Sequence, residues 1–181
     1  MHTRRLLPLR VARCVVAASL TLASVAAGTA EAPPVVAPTQ ATASERAPDA
    51  AERAAMLAIL KAESAPERAA WFSYNSGAAD GKSLANALAA VFREGGWKVQ
   101  VSALSGMVLK PGVSLLLAEE QPPSWTDSAL RAMQASGIDV KSASGYRAYY
   151  DEKKAKDPAW PGVPLAKDAA FVIVVGPAPK G

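Results

Sequence analysis

Across 181 residues the chain carries 20 Lys+Arg against 16 Asp+Glu, with one His and one Cys. That length suits a single domain with appended segments. His2 and Cys14 both lie in the first 30 residues, so the rest of the chain has no Ser–His–Asp triad, cysteine nucleophile, ordinary zinc site or disulfide.

The first 13 residues hold Arg4, Arg5, Arg10 and Arg13 without an acid. Residues 14–27 form an apolar run, followed by small residues through Ala30. A basic start, an apolar run and a small-residue exit predict a secretory signal peptide over 1–30. The run is shorter than the roughly 20 residues that span a bilayer, so no transmembrane segment is expected after cleavage near Ala30. The expected location is periplasmic or secreted. Loss of the four leader arginines leaves basic and acidic residues balanced at 16 each. A neutral mature chain offers no electrostatic footprint for nucleic acid.

Residues 31–48 are rich in Ala, Pro and Thr, the composition of a disordered spacer. A single domain is expected over 49–181. Asp49 followed by Glu52 resembles a capping box. Met56, Ile59 and Leu60 continue on one helical face and Pro66 closes the segment, which predicts an N-terminal helix docked on a sheet.

Residues 70–101 then read as strand, turn, helix and strand. The aromatic and apolar 70–74 stops at turn-formers, and Asp80 is placed to cap the helix that follows. Leu84, Leu88, Val91 and Phe92 share one helical face. Gly95-Gly96 supplies a left-handed stop, Trp97 is placed to fold back on the last turn, and 98–101 alternates polar and apolar.

A looser copy follows. Lys110-Pro111-Gly112 turns the chain into the apolar 113–118. Pro122 to Ser124 opens a second helix, with Ser124 and Asp127 as its expected cap, Leu130 and Met133 inward, and Gly137 at its end. Residues 138–141 alternate as 98–101 do, and 169–175 is a last apolar strand. Unbroken apolar runs at 113–118 and 169–175 belong in the centre of a sheet covered on both faces, whereas the alternating 97–101 and 138–142 belong at its edges. The expected fold is a small three-layer α/β domain with a four- or five-stranded, mostly parallel sheet in the order βαβ-βαβ-β. The alternative is a ferredoxin-like βαββαβ sandwich, with 110–112 as a tight hairpin.

Three constellations carry the candidate chemistry. Residues 76–83, SGAADGKS, differ by one residue from the phosphate-cradling pattern G-x-x-x-x-G-K-[ST]. Ser76, Gly77, Gly81, Lys82 and Ser83 are thus anion candidates, although Ser76 replaces the first glycine and a plain strand-to-helix turn needs the same residues. Glu119 and Glu120 follow an apolar strand at its carboxyl end, where open α/β sheets bind ligands. Two carboxylates there can serve as acid and base or hold a hard cation; the plain reading is a solvated loop. The third is the excursion 146–165. It gathers Tyr146, Tyr149, Tyr150 and Trp160 among lysines and acids, and with Arg147 it is a candidate contact surface for a protein or for sugar rings. The plain reading is an insertion packed back on the sheet.

The function expected from these residues is an exported, non-catalytic binding or accessory domain of the cell envelope, without cofactor or metal, for an envelope protein or a small ligand. The alternative is a phosphate- or nucleotide-handling enzyme that combines 76–83 with Glu119 or Glu120.

Overall fold

A computed structural model describes residues 47–178. The expected signal peptide, most of the spacer and residues 179–181 lie outside the described residues. Helix α1 spans Ala50–Ala62, strand β1 Ala69–Asn75, α2 Ala79–Glu94, β2 Lys98–Leu104 and β3 Val113–Leu117. Then come α3 Thr126–Ala135, β4 Val140–Ala143, α4 Tyr146–Lys156 and β5 Phe171–Val175.

One five-stranded sheet holds all the strands, in the order β2-β1-β5-β3-β4. Three of its four pairings are parallel and only β3–β5 is antiparallel. The expected three-layer α/β fold with a mostly parallel sheet is therefore observed, with β2 and β4 at the edges and β5 in the middle. The ferredoxin-like alternative fails, because β2 and β3 lie on opposite sides of the sheet and 110–112 joins no hairpin. Two βαβ units flank β5. Because β1 runs parallel to β5 and β3 antiparallel, the units are related as by a twofold axis normal to the sheet.

Alternation along the strands sorts the core into two layers. Phe72, Leu115, Phe171, Ile173 and Val175 point to one face, where α1, α2 and α3 supply Met56, Leu60, Leu88, Phe92 and Met133. Trp71, Leu116, Val172 and Val174 point to the other, where Leu104, Leu109, Tyr146, Val163 and Leu165 gather. Trp97 joins the first layer together. Its ring meets Phe92 at 5.4 Å and Trp125 at 5.7 Å, and its indole N–H donates to the Leu60 carbonyl at 3.1 Å.

Local signals were met in some places and replaced in others. Asp49 and Glu52 form the capping box, at 2.8 and 2.9 Å. Gly96 takes φ 81° and Trp97 N–H closes on Phe92, as the Gly-Gly stop predicts. Asp80 caps nothing: it sits inside the first turn of α2 and accepts the Ala178 amide at 2.9 Å. Ser124 likewise supplies no side-chain cap, since Trp125 holds the N-cap of α3. Residues 146–156 form α4, a helix the expected βαβ-βαβ-β order lacks. Its long side chains at 151–156 are mostly polar, so the usual apolar period fades after Tyr150.

At the upper end of β5 the backbones close without room for a side chain. Gly176 N–H donates to Gly112 O at 2.9 Å, and Gly112 N–H to Pro177 O at 3.0 Å. A Cβ built on Gly176 overlaps the Lys110 carbonyl, whereas one on Gly106 meets nothing within 4 Å. Gly176→Ala should therefore cost at least about 3 kcal/mol, because backbone must move. Gly106→Ala should cost about 1 kcal/mol, from its φ of 70° alone. Urea denaturation of both variants checks the difference, and equal losses would contradict the close β3–β5 approach.

Candidate functional site

Sheet topology separates the sequence candidates. The turn 76–83 follows the carboxyl end of β1, while Glu119 and Glu120 follow that of β3, which runs the other way. Register places Val113 beside Val175 and Leu117 beside Phe171, so the turn and the acids sit at opposite ends of the sheet. At about 3.3 Å per residue the strands alone set them some 15 Å apart. One phosphate site cannot use both.

Part of the turn's backbone is already bonded. Ser76 N–H donates to Leu104 O at 2.9 Å, Gly77 N–H to Asn75 Oδ1 at 2.8 Å, and Ala78 N–H to Asn75 O at 3.0 Å. Those amides are spent on holding β1, β2 and the turn together. Gly81 is buried because a side chain there would press on the Val175 and Gly176 carbonyls. Lys82 and Ser83 are exposed on α2.

Glu119 and Glu120 turn to different partners. Glu119 pairs with Arg147 Nε at 2.9 Å, and Glu120 accepts from Ser144 Oγ at 3.2 Å. The guanidinium of Arg147 also donates to Ala166 O and Ala169 O, which pins the excursion to the sheet. Tyr146 is buried against the second face and its hydroxyl donates to Val163 O at 3.0 Å. Burial pushes its pKa up to about 12, so it remains a neutral donor. Tyr149 and Tyr150 both meet the Trp160 ring edge-on, at 5.6 and 5.7 Å. Tyr150 packs on the second layer, and Tyr149, 47% exposed, is the aromatic most open to solvent. The excursion thus joins a covering layer to an exposed margin.

That layer leaves the outer side chains of β2, Lys98, Gln100 and Ser102, exposed. Three cavities adjoin, one at the lower end of the sheet and two beside β1 and β2. The lowest, about 310 Å³, is walled by Glu119, Arg147, Trp125 and Pro123, together with Glu67 and Asp168. The middle one, about 270 Å³, shares Glu67 and Asp168 and adds Trp71, Lys98 and Gln100. The third, about 320 Å³, shares Trp71 and Gln100 and reaches Ser73, Ser102 and Pro164 to Ala166. Shared residues line the three up as a shallow groove, from the lower sheet end along β1 and β2. The indole N–H groups of Trp71 and Trp125 are buried without an acceptor. An unpaired buried donor costs about 1–3 kcal/mol. Glu67 and Asp168 are exposed, and neither they nor Lys98 make an ion pair with any described residue.

Of the groove's residues the sequence candidates include only Glu119 and Arg147. Its signal was nonetheless present: Ser73, Gln100 and Ser102 place polar groups on a face that β5 makes wholly apolar. Among the described residues no three His, Cys, Asp or Glu side chains are placed to hold a metal. No described helix is long and apolar enough to cross a membrane. No family model, curated protein or solved structure matches the chain.

One hydroxyl–carboxylate pair lies on the helical face. Ser128 Oγ, in α3, donates to Glu63 Oε2 at 2.9 Å, and Glu63 Oε1 accepts the Ala65 amide at 2.9 Å. The Ala65 amide, then the Ser128 hydroxyl, hold the Glu63 carboxyl below its ordinary 4.5, which makes it a poor base and a good tether between α1 and α3. A depressed folded pKa gives stability that is complete above the unfolded value and is lost as pH falls through the folded one. Glu63→Gln should therefore lower the melting temperature at neutral pH, and the gap from wild type should close as pH drops below 4.5. Thermal melts across pH check this; a gap independent of pH would contradict the tether.

Proposed function

We propose that this chain is an exported, non-catalytic binding or accessory domain of the cell envelope, and that it seats its ligand or partner in the groove over β1 and β2. The observation that carries the reading is the row of adjoining cavities, which share Glu67 and Asp168, then Trp71 and Gln100. Concave, partly apolar walls with a few convergent polar groups are the usual form of a binding site. Export rests on the leader, with its basic start, apolar run and exit at Ala30. The absence of His and Cys after residue 30, and the tether role of Glu63, favour binding over catalysis.

A thermal-shift panel of short peptides, peptidoglycan fragments, oligosaccharides and nucleotides with Mg²⁺ tests the reading. A ligand at 100 times its dissociation constant stabilises the native state by about 2.7 kcal/mol. At least one non-nucleotide class should raise the wild-type melting temperature by several degrees, and Gln100→Trp, which fills the groove where two cavities meet, should abolish the shift. Lys82→Ala should leave it unchanged. A shift produced by nucleotide alone and lost in Lys82→Ala would overturn the groove and restore the turn 76–83. The secreted form should begin at or near Glu31; an intact Met1 in the membrane fraction would contradict export.

A further inference from the structure

One edge of the sheet is guarded and the other is not. Proteins ordinarily blunt an exposed edge with a short strand, a charge in its middle, a proline or a bulge. At one edge β4 is four residues long and carries Lys141. At the other, β2 follows β1 in unbroken register from Lys98 to Leu104, and after Lys98 its sequence has neither charge nor proline. Its backbone shows which groups are open. Lys98 N–H donates to Arg68 O at 3.3 Å, and Leu104 O accepts the Ser76 amide at 2.9 Å, so both strand ends face β1. The N–H and C=O of one residue point to the same side, and the side alternates along the strand. Val99, Val101 and Ala103 therefore face outward, and no other backbone group of the described residues bonds them. Their side chains line the helical face, where both valines are half-buried and Ala103 is exposed.

We propose that two copies of this chain pair β2 against β2, antiparallel about a twofold axis at Val101, into one ten-stranded sheet with five strands from each. The strand is complementary to itself in that register. Val101 lies opposite its own copy and Val99 opposite Ala103, so every outward residue is paired. Two hydrogen bonds at each of these three pairs make six. Moving the axis to Gln100 or Ser102 leaves one outward residue beyond the partner strand. On the helical face apolar meets apolar. On the other, Gln100 lies opposite Ser102 and Lys98 opposite Leu104, so no like charges meet. A foreign strand would use the same open groups without this matching, and the matching selects a second copy. Twofold pairing is also closed, since each copy spends its one unguarded edge. It does not depend on the groove's holding a ligand.

Sedimentation equilibrium of the purified chain, from micromolar to millimolar concentration, tests this without any variant. The mass should rise from monomer to dimer and no further. Hydrogen exchange of the peptide spanning β2 should slow as the dimer forms. A chain that stays monomeric, or a dimer without that slowing, would overturn the proposal. Two variants test the register, because residues 100 and 102 are exposed and meet at the closer, non-hydrogen-bonded pairs. Gln100→Glu with Ser102→Glu sets like charges opposite and should raise the dimer dissociation constant about tenfold or more. Gln100→Glu with Ser102→Lys sets opposite charges there and should keep the dimer at wild-type strength or tighter. Both variants lose the Ser102 bond to Ser73 Oγ at 3.0 Å, so the difference between them isolates the charge. Equal dissociation constants for the two variants, each shown folded by a cooperative melt, would overturn the pairing about Val101.

Discussion

Everything in this domain depends on the pairing of β5. Its five residues, Phe171 to Val175, are all buried, and they form the only bridge between the β1–β2 and β3–β4 halves of the sheet. Burying each such side chain is worth roughly 1.5–3 kcal/mol, and both faces of the strand contribute. Phe171, Ile173 and Val175 enter the helical layer, while Val172 and Val174 enter the other. Until β5 is in place β1 and β3 have no common partner, so the sheet forms only through contacts distant in sequence. Such topologies fold slowly compared with locally connected ones. Gly176 extends the constraint, since the backbones of β3 and β5 meet there with no space for a methyl group.

Most of this was legible in the sequence because it rests on local periodicity. The capping box at Asp49, the helical face of Leu84 to Phe92 and the Gly-Gly stop before Trp97 are set by neighbours a few residues away. Strand position was legible too, since unbroken apolarity at 171–175 and alternation at 98–101 record how many faces are covered. Strand direction was not. Nothing within 113–117 says that it runs against β5, and that one antiparallel pairing sends Glu119 to the opposite end from Ser76. The caps assigned to Asp80 and Ser124 failed for a related reason. A residue type suited to capping was present, but tertiary contacts with Ala178 in one case, and a start at Trp125 in the other, used the positions differently.

The groove was the least legible feature. The second face is covered unevenly: Tyr146, Val163 and Leu165 pack with Val172 and Val174 of β5, while Lys98, Gln100 and Ser102 of β2 stay exposed. No local pattern encodes where a covering layer ends. Trp71 reads in sequence as one more apolar strand residue, and only its place opposite Phe72 in the pleat turns it outward. The aromatic excursion, prominent in sequence, supplies mainly the cover and the groove's wall. Tyr146 and Arg147 are committed to internal bonds, and Tyr149 alone is largely exposed.

Sheet closure by β5 and the exposed outer side chains of β2 together leave one open side. A cysteine-accessibility measurement tests most directly whether that open side is the working surface. The only cysteine, Cys14, lies among the first 30 residues, so in a Cys14→Ser background single cysteines can be placed at Gln100 in the groove and at Asn86, exposed on α2. Maleimide labelling is then compared between intact cells and purified protein. An occupied groove predicts that the position-100 thiol is shielded in cells and reactive once purified, while the position-86 thiol reacts in both. Equal reactivity of the position-100 thiol in both settings, or shielding at position 86 instead, would contradict it.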